Sequence, residues 1–350
     1  TYGFEMPWAA FPPACFLLPE MELMGGGGTG GILTLRRFLS PGEDASRCRE
    51  GLRTALFEVR DRLLPAPEDR DPGDAWIPAT RAETDPAAWA ALVNRALGEI
   101  QDGTFSKVVL ARVQNVSVEG RLDPVEVLFN LWNENPGSHV FMFEPTPGAT
   151  LMGAAPETVA TVSEGAFRAT AVAGSIARGG TPEEQEAFAK ILLKSRKDLQ
   201  EHRLCVEDMV ERLAPVSEEI RAQDQPHVLT LSAIQHLESV IEARLHPEET
   251  VLSILEALHP TPAVCGLPRD RALEFLQREE TFRRGWYAGP VGWFDGDGNG
   301  VFVPALRSVV GCGSEWRLFA GAGIVAGSDP SKEWEETQIK FLPVLKALSG

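Results

Sequence analysis

AGAGIVAGSDPSKEWEET, residues 320–337, is the stretch on which the reading of this chain turns. Its small residues let a backbone come close to a ligand, and they run straight into a helix-like segment carrying Glu333 and Glu336. Carboxylates three apart share one helix face, a spacing that suits a hard cation held beside a bound anion. The spacing recurs in KSRKDLQEHRL, residues 194–204, where Asp198 and Glu201 are three apart. Two acidic pairs and a glycine loop predict a magnesium-dependent site for a small anionic substrate.

Composition bounds the partners. The 350 residues carry 33 basic and 50 acidic side chains, a formal net charge of −17. Nucleic acid and anionic membrane both reward Lys/Arg surfaces, so neither is expected as a partner. An anionic substrate then needs local cations to overcome the global field. The cysteines (Cys15, Cys48, Cys205, Cys265, Cys312) are odd in number, scattered, and form no CxxC. That pattern points to reduced thiols in the cytoplasm rather than a disulfide scaffold or a zinc site. No apolar run approaches the length of a spanning helix and no secretory signal is visible. The opening TYGFEMPW reads like the middle of a sheet, which predicts that a segment precedes Thr1.

Along the chain, residues 14–39 read as a hairpin with GGGGTGG at its tip. No Lys-Ser/Thr follows those glycines, which argues against a phosphate cradle. Helix is predicted over 41–63 and a Pro/Asp/Glu-rich surface connection over 64–86. Thr84-Asp85-Pro86 starts the next helix, through Ile100. FSKVVLARVQNVSV (105–118) reads as a strand, and residues 124–133 as a short helix. Strands are expected near 139–144, 150–162 and 166–173, a long helix over 181–213, and helices over 248–257 and 268–280. Further strands fall near 287–294, 301–309 and 316–325. Intermixed helices with hairpin-linked strands predict one large α+β domain over 1–350 with much antiparallel sheet, not a doubly wound parallel one.

FSKVVLAR, GAAPE, AVAGSIARG, KDLQEH, LHPTPAVCGLP, GWYAGPVGW, PALRS and AGAGIVAGSDPSKEWEET, taken in that order, resemble the chorismate-utilising enzymes, and among them isochorismate synthases most. The likeness is strong over residues 101–350, the expected catalytic core, and looser over 1–100. It implies an α/β sandwich of two large, mostly antiparallel sheets flanked by helices, with the active site between them. It also implies an isomerase that binds chorismate and Mg²⁺, acting as a monomer or weak homodimer. Its product would feed menaquinone, siderophore or salicylate synthesis.

The residue roles follow from the resemblance. Lys107 stands where members that use water carry a lysine base and anthranilate synthases carry an uncharged residue. Aminodeoxychorismate synthases use a lysine within PIKGT, and Ala173 of AVAGS occupies that place here, so water is the favoured nucleophile. A lysine base must have its pKa lowered from the usual ~10.4, by burial or a nearby cation. Glu157 would be the acid that protonates the departing C4 hydroxyl, which needs a raised pKa. Glu201 and Glu336 would ligate Mg²⁺, with Asp198 and Glu333 auxiliary. Family members often have glutamate at the place of Asp198, which is shorter. Arg307 would clamp a substrate carboxylate. Gly321 and Gly323 amides, Lys340, His236, Ser175 and Tyr287 complete the substrate site. A salicylate synthase, which goes on to eliminate pyruvate, would use the same residues, with Ser175 in place of threonine leaning toward the simple isomerase. A silent binding or assembly subunit is a further reading, against which the retained Lys107, Glu157, Glu201, Glu336 and Arg307 argue.

Overall fold

The computed structural model of the chain describes residues 7–25, 31–63, 79–82, 84–118 and 122–349. The chain divides into two compact units, one of residues 14–74 and one of residues 1–13 with 75–350. In the smaller unit, strands β1 (Met21–Gly25) and β2 (Gly31–Leu35) pair antiparallel with Met21 opposite Leu35. This is the hairpin expected over 14–39; its tip at 26–30 lies outside the described residues. Helix α1 (Ala45–Leu63) falls within the expected 41–63. Of the surface connection over 64–86, residues 64–78 and 83 lie outside the described residues.

In the larger unit a 3₁₀ helix at Pro7–Ala10 is followed by β3 (Ala79–Ala82), a strand not anticipated in that connection, and α2 (Pro86–Gln101). Asp85 caps α2 by accepting the Ala88 N–H at 2.8 Å, and Pro86 sits in the first turn, where its missing N–H costs nothing. Then come β4 (Lys107–Ser117), α3 (Pro124–Glu134), β5 (His139–Thr146), β6 (Ala149–Ala155), β7 (Ala160–Ser163) and β8 (Ala166–Ala177). The single strand expected over 150–162 is two, because Pro156 cannot donate to a ladder. That break is where Glu157 leaves the sheet.

Helices α4 (Pro182–Leu192) and α5 (Arg196–Leu213) replace the one helix expected over 181–213. The Ser195 hydroxyl accepts the Asp198 N–H at 3.3 Å, and this new N-cap opens α5 as a separate helix. Strands β9 (Ser217–Ala222), β10 (His227–Thr230) and β11 (Ile234–Leu245) follow, none of them expected from the sequence. The remaining order is α6 (Val251–Leu258), β12 (Gly266–Leu267), α7 (Arg269–Glu279) and β13 (Pro290–Phe294). The chain then runs through β14 (Gly300–Pro304), β15 (Ser308–Cys312), β16 (Glu315–Val325) and α8 (Pro330–Ser349). The strand expected over 301–309 divides at Arg307, whose φ is 49°.

Two seven-stranded sheets result. One runs β10-β11-β8-β7-β14-β13 with β9 beside β11; the other runs β12-β4-β16-β15-β6-β5 with β3 beside β4. Every pairing among the described residues is antiparallel, as the sequence predicts. The first sheet buries Phe167, Ala169 and Ile241 with Met209 and Leu213 of α5 and Ile254 of α6. The second buries Val108, Leu110 and Ile324 with Trp89 of α2 and Phe275 of α7. Each fully buried side chain of this size contributes about 1.5–3 kcal/mol.

Candidate active site

Alternation along β4 sends Lys107, Val109 and Ala111 to one face and Val108, Leu110 and Arg112 to the other. The Lys107 face looks into a cleft. The cleft lies between the sheets, with Phe319, Gly321 and Gly323 of β16 on one wall and Ala173, Ser175 and His236 of β8 and β11 on the other. Glu157, Tyr287, Arg307, Glu201, Glu336 and Lys340 also line it. Of the thirteen residues singled out above, Asp198 and Glu333 alone are absent from this lining; both border an adjoining cleft that shares Ser175 and Glu336 with it.

Lys107 is 1% exposed, with its Nζ 3.1 Å from Glu201 Oε1 and 3.1 Å from Cys205 Sγ. Burial works against its charge, but the Cys205 sulfur and the Glu201 carboxylate outweigh burial and hold the pKa above the usual lysine range. Burial pushes the Cys205 thiol up as well, so at neutral pH the standing countercharge is Glu201. Burial also opposes the Glu201 carboxylate, yet Lys107 and Lys197 bring its pKa below the ordinary value. The lowered lysine pKa expected from the sequence is therefore not what this arrangement gives. Gly323 makes the contact possible: a Cβ there would stand 2.0 Å from Glu201 Oε1.

Glu157 follows the broken strand end and is 6% exposed. Burial raises its pKa to about 7 against the pull of Lys107, Lys340 and Arg307. At neutral pH this carboxyl is about half protonated and able to donate.

Arg307 donates from Nη2 to His236 Nε2 at 2.7 Å, and His236 Nδ1 lies 2.9 Å from Ser175 Oγ. Burial, with Arg307 and Lys340 nearby, holds the His236 pKa well below the ordinary value, so the ring is neutral. Because Nε2 accepts from Arg307, the single ring proton sits on Nδ1 and points to Ser175. Ser175 and His236 face each other across β8 and β11 beside a register shift, where Gly174 is the extra residue with φ +79°. A Cβ on Gly174 would meet Asp198 Cβ at 3.0 Å, so this bulge also sets how closely α5 approaches. Burial lowers the Arg307 pKa to about 10, which leaves it charged. Tyr287 stacks on Phe319 with centroids 4.8 Å apart, and burial pushes its hydroxyl up to about 12.

The glycine amides are free of the neighbouring strand. Ala111 N–H goes to Glu280 Oε1 and Val109 N–H to the Cys265 carbonyl. Gly321 opposite Ala111 and Gly323 opposite Val109 are therefore pairs that exchange no backbone bonds. Both glycine N–H groups point away from β4, while the Gly321 carbonyl accepts from Lys340 Nζ at 2.8 Å.

The four helical carboxylates gather around a lysine. Lys197 Nζ lies 2.9 Å from Glu333 Oε1, 3.7 Å from Asp198 Oδ1 and 3.8 Å from Glu201 Oε2. Burial opposes the Lys197 charge, but these carboxylates and Glu336 hold its pKa far above the ordinary range. Burial and Glu336 raise Glu333 to about 7. Burial likewise raises Asp198, whose carboxylate accepts from Ser195 Oγ. Glu336 pairs with Lys340 at 2.6 Å. As they stand, no three His, Cys, Asp or Glu side chains among the described residues are grouped closely enough to hold a metal ion. In kind they fit one: hard oxygen donors from α5 and α8 surround a cationic centre that Lys197 now supplies. Sequence alone assigns no role to Cys205 or to Lys197, although Lys197 opens the KDLQEH motif; they matter because each lies four residues from Glu201, one helix turn away.

Over residues 4–349 the sequence fits the model of a family described as chorismate binding enzyme. The salicylate biosynthesis isochorismate synthase of Pseudomonas aeruginosa is 37% identical over 99% of this chain and 71% of its own length. The solved structure of MenF, the menaquinone-specific isochorismate synthase from Escherichia coli, has a TM-score of 0.75 at 29% identity, covering 86% of this chain and 69% of that one. Anthranilate synthase component I from Streptococcus pneumoniae also has a TM-score of 0.75, at 26% identity over 90% of this chain and 69% of that one. Backbone likeness thus does not separate an isochorismate synthase from an anthranilate synthase.

Proposed function

The chain belongs to the family of chorismate-binding enzymes, and we propose that it isomerises chorismate to isochorismate, adding water at C2 and releasing the C4 hydroxyl. The observation that carries this reading is a buried amine and a buried carboxyl lining one cleft, the carboxyl with its pKa near 7. Glu157 is the acid at the C4 oxygen. Lys107 is the base toward water at C2. Ala173, buried on β8, offers no amine at the position where an aminodeoxychorismate synthase carries its lysine.

Arg307 takes a substrate carboxylate, with His236 fixing the guanidinium from behind and donating its Nδ1–H to Ser175 as a hydrogen bond. Gly321 and Gly323 present amides to the same space, Lys340 adds positive potential, and Tyr287 closes the wall. Glu201 and Glu336 would hold Mg²⁺, with Asp198 and Glu333 in support. The ion supplies positive charge for an anionic substrate. Lys107 keeps its proton while Glu201 is its countercharge. Lys107 is buried, and its neutral form is reached only where Glu201 no longer serves as its countercharge.

The match over residues 4–349 supports reading 1–350 as one chorismate-binding domain with its catalytic core in 101–350. No described helix is long and apolar enough to cross a membrane, and the free thiols suit a cytoplasmic enzyme; the family resemblance points to a monomer or weak dimer. The deciding experiment is chromatography of the products after incubation with chorismate and Mg²⁺. Isochorismate alone supports the proposal. Salicylate with pyruvate replaces it by the lyase reading. Anthranilate formed from ammonia removes Lys107 as a water base. Calorimetric binding of chorismate without turnover leaves a binding subunit.

A further inference from the structure

Arg112 is a buried cation with no carboxylate partner among the described residues. It is 2% exposed, and its Nη2 has no hydrogen-bond partner. Its guanidinium lies 3.4 Å from the centroid of the Trp334 ring, with Phe341 and Trp89 at 5.5 and 5.7 Å. Its Nε donates to Thr337 Oγ1 at 2.8 Å, and that hydroxyl donates on to the Trp334 carbonyl at 2.7 Å. Taking a charge out of water without a counter-ion is costly, and an apolar side chain of similar shape is often at least as stable. Stability alone does not explain an arginine here.

What the arginine holds does explain it. Trp334 and Thr337 each sit one position after Glu333 and Glu336 on α8. One residue is 100° of helix, so the face gripped by Arg112 adjoins the face that carries the carboxylates. Arg112 is also on β4, the strand that presents Lys107 to the opposite side. A rotation of α8 by about 20° would carry an oxygen about 6 Å from the helix axis through about 2 Å, whereas a metal site tolerates about 0.5 Å.

We infer that Arg112 is a positioning residue: its stack on Trp334 and its bond to Thr337 fix the rotation of α8, and so place Glu333 and Glu336 relative to Lys107 and Glu201. This rests on the proposed reading of those carboxylates as a metal site. It predicts that Arg112 acts on metal affinity rather than on capture of the substrate carboxylate.

Mn²⁺ serves as the probe, its free concentration read by electron paramagnetic resonance and its site checked by Mg²⁺ competition. Arg112→Met should weaken Mn²⁺ binding about tenfold and raise the Mg²⁺ needed for turnover in parallel. KM for chorismate at saturating Mg²⁺ should stay within about twofold, and Tm should not fall, since an unpaired buried charge has gone. Arg112→Lys keeps the cation but not the planar stack, so its Mn²⁺ affinity should be intermediate. Thr337→Val, which removes the hydrogen bond alone, should cost about threefold by the loss of one such bond. Unchanged Mn²⁺ affinity in folded Arg112→Met overturns the inference. So does equal weakening in the Met and Lys variants together with a lowered Tm, which marks a merely structural role. Should Arg112→Met not fold, Thr337→Val decides: unchanged affinity overturns the inference and weakened affinity supports it. Wild-type protein that takes up no Mn²⁺ overturns the metal reading, and this inference with it. Wild-type binding matched by every variant overturns this inference alone.

Discussion

Where the cleft meets its neighbour, Asp198, Glu201, Glu333 and Glu336 crowd around Lys197, Lys107 and Lys340; at the other end, Arg307 stands against a neutral histidine. Each carboxylate at the first end has an ammonium within 4 Å. The first end, with four carboxylates against three ammonium groups and the Glu333 pKa raised to about 7, is therefore close to balanced, and what matters there is how charge is shared when something enters. Arg307 is not balanced in this way: no carboxylate among the described residues pairs with it within 4 Å, Glu157 and Glu336 act on it only at longer range, and His236 holds its direction without cancelling its charge. In a chain with a net charge of −17, that leftover positive charge in a low-dielectric cleft is what gives an anion a reason to enter. Local placement outweighs the global field.

The balanced end should be the more sensitive to a single change. Lys107→Gln should lower turnover by about 10²–10⁴-fold, the usual reach of general-base assistance, with circular dichroism showing an intact fold. Turnover within tenfold of wild type would take Lys107 out of the mechanism.

Glu157→Gln tests the group between the two ends. Gln keeps the size but cannot give up a proton, so kcat should fall by roughly 10²-fold while KM hardly moves. The pH dependence has a definite sign. Wild-type Glu157 is protonated below about 7, so its acid form, and turnover with it, declines above that value. The variant should lack this alkaline limb. Stability runs the same way: the folded pKa is raised over the ordinary ~4.3, so the carboxyl's contribution is fully present below ~4.3 and is lost as pH rises toward 7. Equal turnover with weaker binding would reassign Glu157 to substrate positioning.

Excess EDTA should abolish activity and Mg²⁺ restore it. Glu201→Gln and Glu336→Gln should each raise the half-saturating Mg²⁺ by about 10–100-fold, since each loses a hard anionic ligand. Full turnover in metal-free buffer would refute the assignment. At the unbalanced end, Arg307→Lys keeps the charge and loses the planar fork, so KM should rise about tenfold with Mg²⁺ dependence unchanged. If Mg²⁺ dependence shifts as well, the two ends are coupled and the contrast between them is too simple.

Much of the architecture is legible in the sequence because it follows local rules. β4 is β-branched and partly alternating, Asp85-Pro86 announces α2, and the acidic pairs sit at helical spacing. The chain breaks are harder to read, since each depends on one residue inside an otherwise continuous pattern. Ser195 splits a helix by turning its hydroxyl on the Asp198 N–H, and Pro156 and Arg307 split strands. β11 escapes notice because its burial depends on β8, β9 and β10 pairing around it, not on its own alternation. The candidate site residues are recognisable by motif, but the reversal of the Lys107 pKa is not. It depends on Glu201 and Cys205, 94 and 98 residues away along the chain and 3.1 Å away in space.

Gly174 and Gly323 touch no proton and carry no charge, yet a saturation library across the cleft should be harshest on them. One holds a backbone angle and a seat for α5; the other leaves the space that the Glu201 oxygen fills. Selection for activity at these positions should return glycine almost alone, while Ser175 beside them accepts threonine. The narrowest tolerance in the pocket then belongs to positions whose contribution is a missing atom, and a screen that ranks residues by reactivity would pass over both.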